Sequence, residues 1–287
     1  MKPADVFQQI PFMTTEEVRK FIKEKDALEY NLVDVRQPVE YEEHHLPGAK
    51  LLPLGELANR MREIDPSRPT IVYCRSGNRS GAATTLLLSG GLQNVFNMEG
   101  GIRAWNGFVS SGQPEAGMVY FTAAARPVEL IALAWALEEG SLRFYGAIAA
   151  SLQDSEAARL FESQVSAEEH HKSALLGLYR ELSGKRGSLE IPASLFSGTE
   201  PGTVMEGGVS VLKALEWSKG KGANDILDLA IGLESNAYDL YLKMERLMED
   251  ERTRRVFRLL AGEEQAHLEA MTALLEKRRF PNDETGS

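Results

Sequence analysis

Cys74-Arg75-Ser76-Gly77-Asn78-Arg79-Ser80 contains the only cysteine among 287 residues. Ile71-Val72-Tyr73 before it is a short apolar run with the character of a buried strand. Gly81-Ala82-Ala83-Thr84-Thr85-Leu86-Leu87-Leu88 after it reads as a helix, closed by Gly90-Gly91. Cys74 is therefore predicted at a strand end, where a tight loop wraps into a helix N-terminus. Successive backbone N–H groups in such a loop point inward and make an anion nest. The helix dipole adds to the nest, and Arg75 and Arg79 supply full positive charge. Each of these favours thiolate over thiol, so the Cys74 pKa is expected below the free value of about 8.5. A buried, inert cysteine requires neither a glycine nor two arginines beside it.

This loop resembles the active-site loop of single-domain rhodaneses, the thiosulfate or persulfide sulfurtransferases. Leu32-Val33-Asp34-Val35-Arg36, with Glu40-Tyr41 and His45-Leu46-Pro47-Gly48-Ala49, is similar to that family's N-terminal signature. Glu99-Gly100-Gly101-Ile102-Arg103-Ala104-Trp105 is similar to its C-terminal one. The resemblance spans about residues 5 to 115 and implies that Cys74 carries sulfur as a persulfide. It also implies that Arg75, Ser76, Gly77, Asn78, Arg79 and Ser80 hold the substrate. Cysteine phosphatases build a related loop with five residues between Cys and Arg. Here only four separate Cys74 from Arg79, a smaller cradle suited to a terminal sulfur.

The length suggests about two domains, and 43% hydrophobic residues are ample for packed cores. The net charge of −10 is uneven: residues 1–115 carry 13 basic and 15 acidic side chains, residues 116–287 carry 19 and 27. No basic patch is dense enough to point to nucleic acid. Met1 to Ile10 lacks the apolar core of a signal peptide, and no apolar run approaches the roughly 18 residues of a membrane span. With a lone reactive cysteine, these features lead to a cytoplasmic expectation.

Along the chain, Thr14 with Glu17 forms a predicted capping box, and Val18, Phe21 and Ile22 are the apolar face of the helix that follows. Leu32–Val35 reads as a buried strand, Leu57–Ile64 as a short helix, and Asn94–Asn97 as a further strand. Asp34 and Arg36 are expected to fix the loops at a strand end. His44 and His45, with no second ligand set nearby, are expected to be structural or solvated. Alternating strands and helices imply an α/β domain with a mostly parallel sheet over residues 1–115. Residues 116–126 read as a linker. From Pro127, well suited to a first helical turn, the chain reads as helical, and residues 278–287 form a polar tail.

The helical part contains a repeat at an offset of 96 residues. Leu137-Glu138 falls on Leu233-Glu234, Tyr145 on Tyr241, Phe161 on Phe257, Glu168 on Glu264, His171 on His267 and Leu178 on Leu274. Each half is a helix pair: Glu and, seven residues on, Tyr in the first helix; Phe, then Glu-x-x-His, in the second. Residues three or seven apart share a helix face, so these groups can all point inward. Four buried carboxylates and two imidazoles require a compensating cation. One Glu from each of two helices and Glu-x-x-His from each of the other two is the arrangement of ferritin-like di-iron bundles. Residues 127–277 resemble that family's rubrerythrin branch. The resemblance implies two iron ions, with manganese as the alternative, on Glu138, Glu168, His171, Glu234, Glu264 and His267. Glu168 and Glu264 are the candidates to bridge both ions.

The neighbours Glu139, Glu169 and His170 fall on Ser235, Gln265 and Ala266 and are read as surface or supporting residues. Two features depart from rubrerythrins. A single cysteine cannot build their four-cysteine rubredoxin centre, and Ala237 stands where they place an extra carboxylate, three residues past Glu234. Residues 184–224 form a long crossover, with a loop to Pro201 and a short helix within Val204–Ser218. Such a crossover permits exchange of helix pairs in a homodimer. The expected activity is sulfur transfer from a small donor to a thiol acceptor, coupled to di-iron redox chemistry on oxygen or peroxide. The alternative is a helical domain that only binds or senses iron, or mediates dimerisation, and a bundle with no metal is the third reading.

Overall fold

In the computed structural model the described residues are 10–113, 127–185, 187, 190–196, 200–205 and 208–280. The chain divides into two compact units, Met1–Pro114 and Glu115–Ser287. The predicted linker, 116–126, and most of the predicted tail lie outside the described residues.

The first unit holds β1 (Phe12–Met13), α1 (Thr15–Lys23), β2 (Asn31–Asp34), α2 (Pro38–Glu43), β3 (Lys50–Leu51), α3 (Leu57–Arg60), β4 (Thr70–Tyr73), α4 (Asn78–Ser89), β5 (Val95–Met98) and α5 (Gly101–Ala104). Its five strands are all parallel, in the order β1-β5-β4-β2-β3. Side chains alternate across a strand, and the two faces have separate cores. Leu32, Ile71, Tyr73 and Met98 pack with Val18, Tyr41 and Ile102 on one face. Val33, Val72, Cys74 and Val95 pack with Leu57, Ala83 and Leu87 on the other. Covering both faces is what a parallel sheet demands.

Thr14 caps α1 with the reciprocal Glu17 bond, as its sequence predicts. The predicted helix at Leu57–Ile64 is shorter: α3 ends at Arg60 and continues as a 3₁₀ turn, Met61–Glu63. The helix after the cysteine loop starts at Asn78, three residues earlier than expected. Arg79 and Ser80 are therefore in its first turn, not in the loop.

The second unit holds α6 (Pro127–Ser151), α7 (Ser155–Leu182), β6 (Val204–Met205), β7 (Val209–Ser210), α8 (Val211–Ser218), α9 (Ala223–Leu247) and α10 (Glu251–Arg279). Four long helices form the bundle. Asp154 and Asp250, 96 residues apart, cap α7 and α10 through Ala157 N and Thr253 N, so the repeat extends to the capping residues. The crossover holds α8, as expected. It also holds an antiparallel ribbon, β6–β7, where part of the helix was expected. The ribbon and α8 pack on the apolar core near Phe144, Phe161, Leu227 and Met271.

Candidate sulfur-transfer and metal sites

The Cys74 loop is held from below and from one side. Gly77 adopts φ +97°, a left-handed conformation open to glycine, and its N–H donates to Cys74 Sγ at 3.2 Å. Ser80 Oγ, in the first turn of α4, lies 3.3 Å from the sulfur. The start of α5 supports the loop backbone: Ile102 N–H donates to Cys74 O at 2.8 Å and Arg103 N–H to Arg75 O at 3.1 Å. A Cβ on Gly101 would stand 2.4 Å from Cys74 O, which explains the second glycine of Glu99-Gly100-Gly101.

Cys74 is only 1% exposed. Burial pushes its thiol up. The Ser80 hydroxyl and the backbone N–H groups of Ser80, Ser76 and Gly77 outweigh that and leave its pKa lowered. The sequence foresees the direction; its main cause is hydrogen bonding. Arg75, Ser76 and Asn78 face solvent at the rim. Arg79 makes a two-pronged ion pair with Glu40 of α2, at 2.6 and 2.7 Å, so its charge is already balanced and Arg75 is the rim's exposed cation.

Asp34 and Arg36 are both buried. Arg36 Nη2 bonds Asp34 at 2.7 Å and the His44 carbonyl at 2.6 Å, the loop-fixing role their position suggests. His45 is buried and stacked on Tyr41, ring centres 3.7 Å apart, a structural role.

In the bundle, Glu138 (α6), Glu168 and His171 (α7), Glu234 (α9) and Glu264 (α10) are all buried, and His267 (α10) is partly so. Their donor atoms form two groups: Glu138, Glu168, His171 and Glu264; and Glu234, Glu264 and His267. Within each group the atoms lie within 4.8 Å of one another. All six predicted ligands thus meet. Glu264 belongs to both groups, whereas Glu168, the other expected bridge, falls only in the first. Glu169 and His170 are exposed, and Glu139 pairs with Arg143 and Lys172.

Three further residues border the cluster, and one of them, Glu263, escapes the motif reading. Tyr145 donates to Glu234 Oε1 from the opposite helix pair. Its repeat partner Tyr241 is equally buried, with its hydroxyl unbonded. Glu263 of α10 reaches Nε2 of His171 at 2.6 Å. The tyrosines were visible as repeated residues, but Glu263 has Ala167 as its counterpart and carries no repeat signal.

These residues fit a metal pair. Glu138 Oε1, Glu168 Oε2 and Glu234 Oε2 are buried without an aligned hydrogen-bond partner, a costly state unless a cation takes up the lone pairs. Burial, followed by the charge of Glu168, raises the Glu138 pKa; burial and the charge of Glu234 raise that of Glu264. Burial depresses the His171 pKa, but the charge and hydrogen bond of Glu138 and the bonds to Glu168 and Glu263 more than reverse this. Protons thus balance the charge that metal ions would balance, and metal binding would displace them. Oxygen and imidazole donors suit iron or manganese.

Comparison with known proteins finds two families along the chain. The rhodanese-like domain family matches residues 14–107 and the rubrerythrin family residues 225–286. A sulfurtransferase of Allochromatium vinosum is 41% identical over 80 residues, 28% of this chain and 75% of that protein. The thiosulfate sulfurtransferase GlpE of Pseudomonas syringae is 33% identical over 99 residues, 34% of this chain and 87% of that protein. The uncharacterized protein YqhL of Bacillus subtilis is 38% identical over 80 residues, 28% of this chain and 64% of that protein. With two further curated relatives the chain spans 52% and 46% of their length. A crystal structure of a rhodanese-like domain protein from Staphylococcus aureus shares 27% identity over 33% of this chain and 91% of that one, with a TM-score of 0.31.

The site and fold define a rhodanese-type α/β domain joined to a ferritin-like helical domain. The chain belongs to the rhodanese-like sulfurtransferase family, and its helical part carries a rubrerythrin domain. Among the described residues no helix is long and apolar enough to cross a membrane.

Proposed function

We propose that the chain transfers sulfane sulfur through a persulfide on Cys74 and couples this activity to a di-iron domain acting on oxygen or peroxide. The observation that carries the first half is the hydrogen-bonded, pKa-lowered Cys74 sulfur at the head of α4. The Cys74 thiolate attacks the outer sulfur of a donor such as thiosulfate. A bond forms between Sγ and that sulfur, the donor S–S bond breaks, and sulfite leaves with the electron pair. The loop N–H groups and the exposed Arg75 hold the anionic donor. An acceptor thiolate then attacks the outer sulfur, takes it away as a persulfide and returns the Cys74 thiolate.

In the bundle, Glu138, Glu168, His171, Glu234, Glu264 and His267 would hold the two ions, which supply the redox capacity when bound. Tyr145 orients Glu234 by donating to its Oε1, and Phe161 packs against the Tyr145 ring. The support for this half is the meeting of all six groups in two clusters, buried except for the partly exposed His267.

Thiosulfate-to-cyanide transfer by the full chain tests the first half: Cys74→Ser should fall to background with an unchanged circular dichroism spectrum, and retained activity would overturn the reading. Metal analysis after anaerobic iron reconstitution tests the second, with two ions per chain expected. Oxidation of the loaded protein by peroxide, followed by absorption, then separates redox turnover from mere iron binding.

A further inference from the structure

His171 and His267 hold equivalent places in the repeat, yet what lies behind their rings differs. His171 turns Nδ1 toward Glu138, Glu168 and Glu264, at 3.1, 3.4 and 3.3 Å. Its other nitrogen, Nε2, lies 2.6 Å from Oε2 of Glu263. Glu263 belongs to α10, in the opposite helix pair, so it reaches His171 across the bundle. The residue equivalent to Glu263 in the first half is Ala167. Among the described residues, carboxylates contact His267 through Nδ1, from Glu234 and Glu264.

An imidazole that ligates through one nitrogen carries its proton on the other, and a carboxylate behind that proton fixes tautomer and ring orientation and strengthens the donor. We propose that Glu263 is a positioning residue: it holds the Nε2–H of His171, keeps Nδ1 free to ligate, and makes the His171 half of the centre bind metal more tightly than the His267 half. The proposal rests on the di-metal reading above. A second asymmetry runs the same way. The His171 group has four buried donors, whereas the His267 group has three, one of them partly exposed. The Glu263 carboxylate is close to Nε2 without standing on its N–H axis. Its side chain is 56% exposed, so aligning the pair needs a side-chain rotation and no repacking.

The test uses the full chain, stripped of metal and titrated anaerobically with Mn²⁺ by calorimetry. Wild type should show two unequal steps. Glu263→Ala should weaken the tighter step about 10- to 100-fold and leave the weaker one in place. Glu263→Asp should recover part of the loss, and Ala167→Glu should tighten the weaker step. In ¹⁵N-histidine-labelled, Zn²⁺-loaded protein, His171 should be bound through Nδ1 with a slowly exchanging Nε2–H, and Glu263→Ala should make that proton exchange fast. An unchanged tight step, or equal weakening of both steps, would overturn the assignment. If wild type binds no Mn²⁺, the di-metal reading fails by itself. The Nε2–H exchange rate in the metal-free chain then decides on Glu263: faster exchange in Glu263→Ala supports the contact, and an unchanged rate refutes it.

Discussion

The Cys74 sulfur is buried and still a lowered-pKa thiol, because hydrogen bonds offset the cost of burying its charge. Ser80 Oγ is the one side chain among those donors, at 3.3 Å. Ser80→Ala removes it and leaves the backbone N–H groups in place. The thiol pKa should rise toward the ordinary cysteine range, lowering the thiolate fraction at neutral pH. A titration of thiolate absorbance near the ultraviolet edge, with iodoacetamide alkylation against pH, checks this. An unchanged midpoint would place the stabilisation wholly on the backbone. Arg79 shows how a residue's type can mislead about its role: its guanidinium is engaged by Glu40, so its first effect is to fix the start of α4 under the sulfur.

At the scale of elements, that ion pair joins α2 to α4. Arg79, together with a backbone hydrogen bond, holds the Glu40 carboxyl at about 2, below its ordinary 4.5. A depressed carboxylate stabilises the fold above its unfolded pKa and loses that contribution as pH falls through its folded one. The pair is partly exposed, so it contributes about 1 kcal/mol at most. The melting difference between wild type and Glu40→Gln should therefore be constant above pH 4.5 and close as pH falls toward 2. A difference independent of pH would mean that the glutamine disturbs packing. The helix pairs carry a second prediction. Glu264 serves both ligand groups, whereas Glu169, one position from Glu168, faces solvent. Glu264→Ala should abolish binding of both ions in a metal analysis, and Glu169→Ala should retain both. Equal losses would show that the helix face is misassigned.

At the scale of the whole molecule, each unit has its own core: apolar clusters on both faces of the parallel sheet, and another inside the bundle. Separate cores give separate cooperative units. A ligand that binds only the native bundle stabilises only that unit. Free metal at a hundredfold excess over its Kd is worth about 2.7 kcal/mol per ion, so two ions are worth about 10–20 °C for a unit of this size. Calorimetry should show one transition rising by that amount and the other unmoved by metal. Cys74→Ser should leave the metal-induced shift intact. A single transition that moves as a whole would mean that the two units melt together.

Much of this protein is local in origin and therefore legible in its sequence. The strand–loop–helix around Cys74, the Thr14–Glu17 cap and the parallel sheet follow from short-range patterning. The candidate metal ligands were legible as a group for a different reason. The repeat places Glu138 with Glu234 and the two Glu-x-x-His pairs in register, and helix periodicity puts each set on one face. Tertiary packing decided what depends on residues far apart in the chain. Glu40 neutralises Arg79 from 39 positions away, Gly101 supports the loop from the start of α5, and the crossover contains a small ribbon that its sequence does not announce. The sharing of Glu264 and the reach of Glu263 to His171 were likewise settled by how one helix pair packs on the other. Periodicity says which side of a helix a residue occupies. Which residue of a facing helix it meets is set by the packing of the two helices against each other, and that has no local signature.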